Sequence, residues 1–262
     1  MISNFDEKEL RCGLSRQPFD HVVIDNFLQP AEAAKIEREF FPYDSEDWHV
    51  YSNAIEEKKT CNQWNLFGPA IYQFFLEVNS SRFVNFVNSI FDLDLIPDPG
   101  LHGGGLHCHK GGGNLNPHLD YSIHPKAGLQ RKINLIYYCS SDTGLAESGT
   151  GDLGFWAGDA SRPFELIKTV KPTFNRAVLF DTTQFSWHGL VNPLPADAQF
   201  ARKSLAAYYL QVPVEGCDRR SRALFAPRID QTVDRELINL IRARGDGSTA
   251  SSVYITNPKS DS

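Results

Sequence analysis

After residue 100 the chain breaks into short β-type runs, cut at close intervals by turn-forming residues. Runs at 131–139 (RKINLIYYC), 152–157 (DLGFWA), 164–170 (FELIKTV), 176–181 (RAVLFD) and 201–212 (ARKSLAAYYLQV) predict strands. Strands spaced this way point to a sandwich or a barrel. Composition agrees: 18 Phe, 9 Tyr and 4 Trp against a single Met suit a β-rich core, where aromatic side chains pack well on pleated surfaces.

The first hundred residues have a different character. Residues 1–17 are polar and read as a loose arm, followed by a short strand over 19–25 (FDHVVID). Pro30 opens a helix in PAEAAKIEREFF, with proline in the first turn and apolar positions at helical spacing. A second helical block spans about 68–92, with a break at Asn79-Ser80-Ser81. Its Phe stripe reads as core packing. Beyond the strands, 230–244 (DQTVDRELINLIRAR) predicts one amphipathic helix with Val233, Leu237, Leu240 and Ile241 on one side, which either folds back onto the barrel or contributes to a dimer, the former being favoured. Gly245-Asp246-Gly247 would end it, and the last fifteen residues read as loose.

A length of 262 residues allows one or at most two domains. No repeat or dividing linker is evident, so a single domain is expected: an arm over 1–18, an entry strand and bracing helices over 19–100, a β core over 101–212 and an extension over 213–262. The net charge of −6 argues against general binding of nucleic acid. No apolar run reaches the length of a membrane span, and the acidic start MISNFDEKEL is not a secretory signal. Five cysteines without a CxxC pair suggest a reducing, cytoplasmic setting. A monomer or a homodimer is expected.

The chemistry-bearing residues begin with His118-Leu119-Asp120. In an extended segment, positions i and i+2 point to the same side, so an imidazole and a carboxylate converge on one site. A second imidazole, His188, follows the run VLFD, after a gap that several strands of a small barrel would fill. Two histidines and one carboxylate leave three positions of an octahedral ion open, the ligand set of non-haem Fe(II) oxygenases. Zinc prefers a closed shell or one open position. Fourteen residues past His188, alternation puts Arg202 and Ser204 on one face of a strand and Lys203 on the other. A guanidinium fork and a hydroxyl facing inward can hold a carboxylate. The competing reading of Arg202 is a structural ion pair with an acid such as Asp181.

HLD, the later SWHGLVNP and RKSLAAYYL together resemble the Fe(II)/2-oxoglutarate-dependent dioxygenases, in particular the prolyl-4-hydroxylase-like branch. FDHVVIDNFLQPAEAAKI and GTGDLGFW…VKPTFNRAVLFDTT are similar to other parts of that branch, so the resemblance covers about residues 19–212. It implies a mainly β fold with flanking helices, a double-stranded β-helix or jelly-roll. It implies Fe(II) held by His118, Asp120 and His188, with no catalytic residue beyond these ligands. It also implies 2-oxoglutarate as cosubstrate, its distal carboxylate anchored by Arg202 and Ser204, and O2 as oxidant. The implied reaction is hydroxylation of an unactivated C–H of a small polar molecule or a peptide side chain, with release of succinate and CO2. Halogenation is disfavoured, since Asp120 is present. Many relatives carry a tyrosine about ten residues before the HxD histidine. Here LHCHKGGGNLNP places Cys108 at that spacing, with His107 and His109 beside it, and Cys108, one of these histidines or Tyr138 is expected to substitute.

Other positions carry weaker signals. Arg131 reads as a substrate contact at the mouth or as a solvated strand-end charge. Asn134 and Tyr138 share one strand face and suggest a lined pocket. Trp187 reads as a wall keeping water from the metal, Trp64 and Asn65 as a substrate loop or covering turn, and Arg176 as a turn cap. His107 and His109 form a decoy metal pair with no nearby acid after them. The glycines at 103–105 and 111–113 read as turns and mobile backbone at the pocket rim, and no GK[ST] follows them to make a phosphate loop. The rival classes are a cupin-type metal-dependent isomerase and a non-catalytic ligand-binding jelly-roll. Those usually carry more histidines or a glutamate and need no inward arginine.

Overall fold

A computed structural model describes residues 1–182 and 185–245 of the chain. The elements begin with α1 (Glu7–Cys12), β1 (His21–Ile24), α2 (Pro30–Glu39), β2 (His49–Ser52), β3 (Glu56–Cys61), α3 (Pro69–Val78) and α4 (Ser81–Phe91). Then come β4 (Ile96–Pro97), β5 (Gly105–His109), β6 (Asn114–Leu115), β7 (His118–Leu119), β8 (Gln130–Tyr138), α5 (Thr143–Ser148) and β9 (Leu153–Gly158). The remainder are β10 (Pro163–Val170), β11 (Arg176–Asp181), β12 (Trp187–Leu190), β13 (Arg202–Gln211), β14 (Leu224–Phe225) and α6 (Arg235–Gly245). The strands expected between 131 and 212 are β8–β11 and β13, each starting and ending within one residue of its expected limits.

Nine of these strands form a major sheet in the order β1-β11-β8-β13-β5-β3-β2, with β4 paired to β13 and β6 to β3. The other five form a minor sheet in the order β10-β9-β12-β7-β14. This is the jelly-roll expected from the sequence.

Side-chain alternation sorts the major sheet into two faces. Leu106 and Cys108 of β5, Leu135 and Tyr137 of β8, and Leu205 and Tyr209 of β13 face the helices and join the largest apolar cluster. Helix α3 adds Phe74, Phe75 and Val78 to it, and α4 adds Phe83, Val87 and Ile90. The intervening residues of the same strands face the minor sheet. Because the period is two, one strand supplies both a packing face and a site face.

Local chemistry sets the helix ends. Pro30 and Pro69 sit in the first turns of α2 and α3. The Glu39 carboxylate, at the end of α2, accepts from the N–H groups of Ala70 and Ile71 at 2.7 and 3.2 Å. Ser80 caps α4, and Asp92 ends it in the left-handed conformation. The break expected at Asn79–Ser81 therefore separates two helices.

Four expectations need correction. The N-terminal arm is not loose: Ile2 bridges to Leu28, the Phe5 ring lies 6.0 Å from Phe27, and α1 is capped by Asp6. The half-buried aromatic at Phe5, packed against the core, outweighs the polar composition around it. Strands β2 and β3 escaped the sequence reading, because EEKKTC lacks the apolar alternation that marks a half-buried strand. Helix α6 starts at Arg235 rather than near 230, with Asp234 accepting from Leu237 N–H at 3.0 Å. Leu237 does pack back against Ile55 and Phe225, whereas Val233 precedes the helix and is 87% exposed. Finally, the first glycine cluster is close-packed rather than mobile. Gly105 has φ +90°, and a Cβ there would lie 2.1 Å from the Cys61 carbonyl.

Asp246, Gly247 and the last fifteen residues lie outside the described residues. Among those described, no helix is long and apolar enough to cross a membrane.

Candidate metal centre and its cavity

A cavity of about 680 Å³ is lined by both sheets and by the segment after β13. On the minor-sheet side, the short strand β7 presents His118, and Asp120 follows two residues later. Strand β12 pairs with β7 so that His188 stands directly opposite His118. The two imidazole centroids are 4.3 Å apart. Asp120 reaches both rings: Oδ1 lies 3.7 Å from His118 Nε2, and Oδ2 lies 3.7 Å from His188 Nε2. One donor atom from each residue lies within 4.8 Å of the others.

The outer nitrogens of both rings are committed elsewhere. His118 Nδ1 donates to the Asn116 carbonyl at 3.0 Å, and His188 Nδ1 donates to the Ser186 carbonyl at 2.8 Å. A carbonyl only accepts, so each ring carries its proton on Nδ1 and turns the Nε2 lone pair toward Asp120. Burial, reinforced by its neighbour His188, lowers the His118 pKa to about 3. Burial also lowers that of His188. Burial pushes Asp120 upward, but His188, Arg131, His118 and the Tyr208 hydroxyl overcome it and hold the carboxyl at about 2. Asp120 Oδ2 is buried without a hydrogen-bond donor. Two neutral imidazoles, one carboxylate and an unsatisfied oxygen, all deprotonated at neutral pH, fit a divalent cation between them.

The major sheet supplies the opposite wall. Arg202 of β13 is 4% exposed. Its Nε donates to the Gly151 carbonyl at 2.8 Å, and its Nη2 donates to the Tyr138 hydroxyl at 3.1 Å. No carboxylate lies within ion-pair distance of it among the described residues. Asp181, the alternative partner considered from the sequence, pairs instead with Lys132 at 2.6 Å. A buried guanidinium with only neutral partners is costly on its own and suits an anionic ligand. Ser204 lies beside it on the cavity wall, in register with His107 of β5 and Tyr138 of β8. Asn134 also lines the cavity, and its Oδ1 is buried without a partner.

Other candidates fall elsewhere. Cys108 faces the helices within the apolar core; alternation puts it on the far side of β5 from the cavity, so it does not replace the expected tyrosine. His107 and His109 take the cavity side instead. They were read as a decoy pair, yet the GLHCH alternation already put both on one face. Trp187 is fully buried on the side of β12 away from His188. It packs with Leu119 and Ala226 and donates to the Asp159 carbonyl at 2.7 Å, so it braces the minor sheet rather than walling the cavity.

Arg131 is neither solvated nor at the mouth. Its guanidinium lies between the rings of Tyr121 and Tyr208, 3.5 and 3.4 Å from their centroids, and its Nη1 is 3.7 Å from Asp120 Oδ1. Trp64 packs on Tyr72 and Phe75 and donates to the Pro99 carbonyl, which makes its segment a covering turn. Arg176 forms an ion pair with Asp25 rather than only capping a turn.

Sequence reasoning missed Lys58, which lines the cavity from β3 and contributes to the lowered basicity of His107, His109 and His118. The i, i+2 spacing of Glu56, Lys58 and Thr60 was its signal, obscured by the charges on both faces of that strand.

Residues 104–210 match the family model described as the 2OG-Fe(II) oxygenase superfamily. No curated protein is significantly similar to the chain in sequence. Among solved structures, a Pseudomonas putida prolyl-4-hydroxylase is similar at a TM-score of 0.52 and 16% identity, covering 79% of this chain and 100% of that one. The non-haem alpha-ketoglutarate-dependent epimerase SnoN from nogalamycin biosynthesis gives 0.52 and 12%, with 82% and 93% covered. The carbocyclase SnoK from the same biosynthesis gives 0.50 and 10%, with 90% and 91% covered. These structures share the double-stranded β-helix with this chain. Residues 104–210, which contain the His118–Asp120–His188 cluster, are thus similar to the 2OG-Fe(II) oxygenase superfamily.

Proposed function

We propose that this oxygenase hydroxylates an unactivated C–H of a small polar molecule or a peptide side chain, with His118, Asp120 and His188 as the iron ligands. The observation that carries the reading is the convergence of these three side chains, all deprotonated, on one side of a cavity whose other wall offers a buried arginine without an acid. Iron held by these residues would supply the oxidising chemistry, with 2-oxoglutarate and O2 consumed and succinate and CO2 released.

The chain's own residues bind, orient and exclude water. Asn116 and Ser186 hold the Nδ1 protons of the two histidines, which keeps the Nε2 lone pairs facing inward. Arg202 and Ser204 take the distal carboxylate of 2-oxoglutarate, and Tyr138 orients the Arg202 fork. Phe180 lies 4.8 Å from the His188 ring, and Phe225 stacks on His118 at 5.1 Å, so apolar rings back both ligands. Asn134, with its free Oδ1, and Arg131 line the space left for substrate. The prolyl-4-hydroxylase likeness supports a peptide side chain, and the likenesses to enzymes of nogalamycin biosynthesis support a small molecule. A reducing cytoplasm fits five cysteines that all remain free thiols.

The test is anaerobic addition of Fe(II) and 2-oxoglutarate. The expected result is a weak visible charge-transfer absorption, followed by succinate release when oxygen is admitted. Iron-loaded, folded protein without that absorption would exclude the reading.

A further inference from the structure

The segment over 220–231 lies beyond the matched residues 104–210, yet it is bonded along the whole length of the segment that carries His118 and Asp120. Strand β14 pairs with β7, placing Leu224 opposite Leu119 and Phe225 opposite His118. On one side of this pairing, Ala226 N–H donates to the Pro117 carbonyl at 2.8 Å. On the other, the Arg220 carbonyl accepts from Ser122 N–H at 2.8 Å, and Arg220 Nη2 donates to the Asp120 carbonyl at 3.3 Å. The Phe225 ring lies 21° from parallel to the His118 ring.

Arg228 is the most heavily committed side chain of this segment. It donates to Asn114 Oδ1 at 2.6 Å, to Asn116 Oδ1, and to the carbonyls of Leu115 and Leu190 at 3.3 and 3.1 Å. No carboxylate lies within ion-pair distance of it among the described residues. A part-buried cation spending its donors on neutral acceptors costs desolvation, so its role is geometric rather than a net electrostatic gain. Asn116 is the relay. Its side-chain nitrogen donates to the Ala226 carbonyl at 3.1 Å and to Gln231 Oε1 at 2.7 Å. Its own carbonyl is the acceptor that fixes His118 Nδ1. Asn116 is fully buried, so these contacts leave it little freedom.

We propose that residues 220–231 form a strap that positions the metal centre, with Arg228 acting through Asn116 to set the His118 ring and Phe225 backing that ring. The strap rests on the reading of His118 as a metal ligand. It makes Arg228 and Phe225 positioning residues of a site whose ligands all lie before them in the chain. It also gives the cavity part of its wall, through Ser221, Arg222, Ala223 and Phe225.

The test is Mn(II) binding to the full chain, followed by electron paramagnetic resonance, with near-ultraviolet circular dichroism to verify packing. Wild type is expected to bind one Mn(II), and Asp120→Ala to lose it. Arg228→Met is expected to raise the Mn(II) Kd about 10- to 100-fold, the usual effect of losing a partner behind a ligand. Guanidinium ion added at constant ionic strength should recover part of that loss, which a purely structural role would not allow. Phe225→Leu and Gln231→Ala, which leave Arg228 in place, are expected to weaken binding about three- to tenfold. These two variants decide the matter should Arg228→Met fail to fold. Val214→Ala, exposed and outside the strap, is the control and should change nothing. Wild-type affinity in folded Arg228→Met, or in both milder variants, overturns the strap and leaves the metal centre standing. A wild-type chain that binds no Mn(II) overturns the metal centre and the strap with it.

Discussion

The two ends of the cavity are held by different means. Arg202 and Ser204 ride on β13, ten residues long and bonded to β8 on one side and β5 on the other. His118 rides on β7, two residues long, Asp120 follows it outside any strand, and His188 rides on the four-residue β12. A long interior strand fixes its side chains through the ladder alone. A two-residue strand cannot, and its ring orientation comes from the Asn116 and Ser186 carbonyls and from contacts brought by β14. A single recognition fork can therefore be placed by sheet regularity, whereas a ligand set converging from two short segments needs support from several directions.

The largest test of this contrast is Asp120→Ala. Metal affinity should fall by at least about 100-fold, beyond the range seen for supporting residues, with succinate release abolished; Mn(II) titration reads the first and product analysis the second. Retained metal would mean that the short-strand end does not build the site.

Arg202→Met should act on the other end alone. Loss of one partner from a buried, hydrogen-bonded charge pair costs about 2–4 kcal/mol, so the 2-oxoglutarate Kd should rise about 30- to 1000-fold, with Mn(II) affinity kept. Isothermal titration of 2-oxoglutarate into the metal-loaded protein, and of Mn(II) into the metal-free protein, measures the two. A parallel loss of metal affinity would erase the distinction between the two ends.

Acid should reveal how dry the cavity is. Burial lowers the pKa of His107 and His118 to about 3, and lowers those of His109 and His188 as well. The folded protein keeps these rings neutral, while the unfolded chain takes up protons near pH 6.5. Stability of the metal-free protein is therefore complete above pH 6.5 and declines as pH falls from 6.5 toward 3. Each ring contributes up to about 1.4 kcal/mol per pH unit. Asp120 works in a lower window: with its folded value at about 2, its contribution is present above 3.8 and lost as pH falls from there to 2. Calorimetry between pH 7 and 5 should show a falling Tm, less steep in His109→Leu. A flat Tm would mean that the rings are solvated.

The smallest expected effect concerns the two faces of β5. Cys108→Ala should cost about 1 kcal/mol in urea unfolding and leave 2-oxoglutarate affinity unchanged. Weakened affinity would move that side chain to the cavity side.

Much of the core was legible in the chain. The runs that became β8, β11 and β13 are short β-type stretches bounded by turn-forming residues, which set their limits, and alternation along Arg202-Lys203-Ser204 indicates the inward side of Arg202 and Ser204. The HxD spacing put His118 and Asp120 together before any contact was known. Strand β3 was not legible, because charged residues occupy both of its faces and blur the period, and β2 is only four residues long with both ends exposed. Arg131 was misjudged for a related reason: its burial depends on Tyr121 and Tyr208, which come from a loop and from another strand.

The sequence by itself determined which residue types could meet a cation and which strand faces they would occupy, because period-two alternation is a property of the local backbone. The tertiary structure decided which histidines stand together, that Asn116 and Ser186 fix their protons, and that a segment near the C-terminus lies behind His118. Those facts depend on pairings between segments up to 115 residues apart, and neither local propensity nor spacing encodes them.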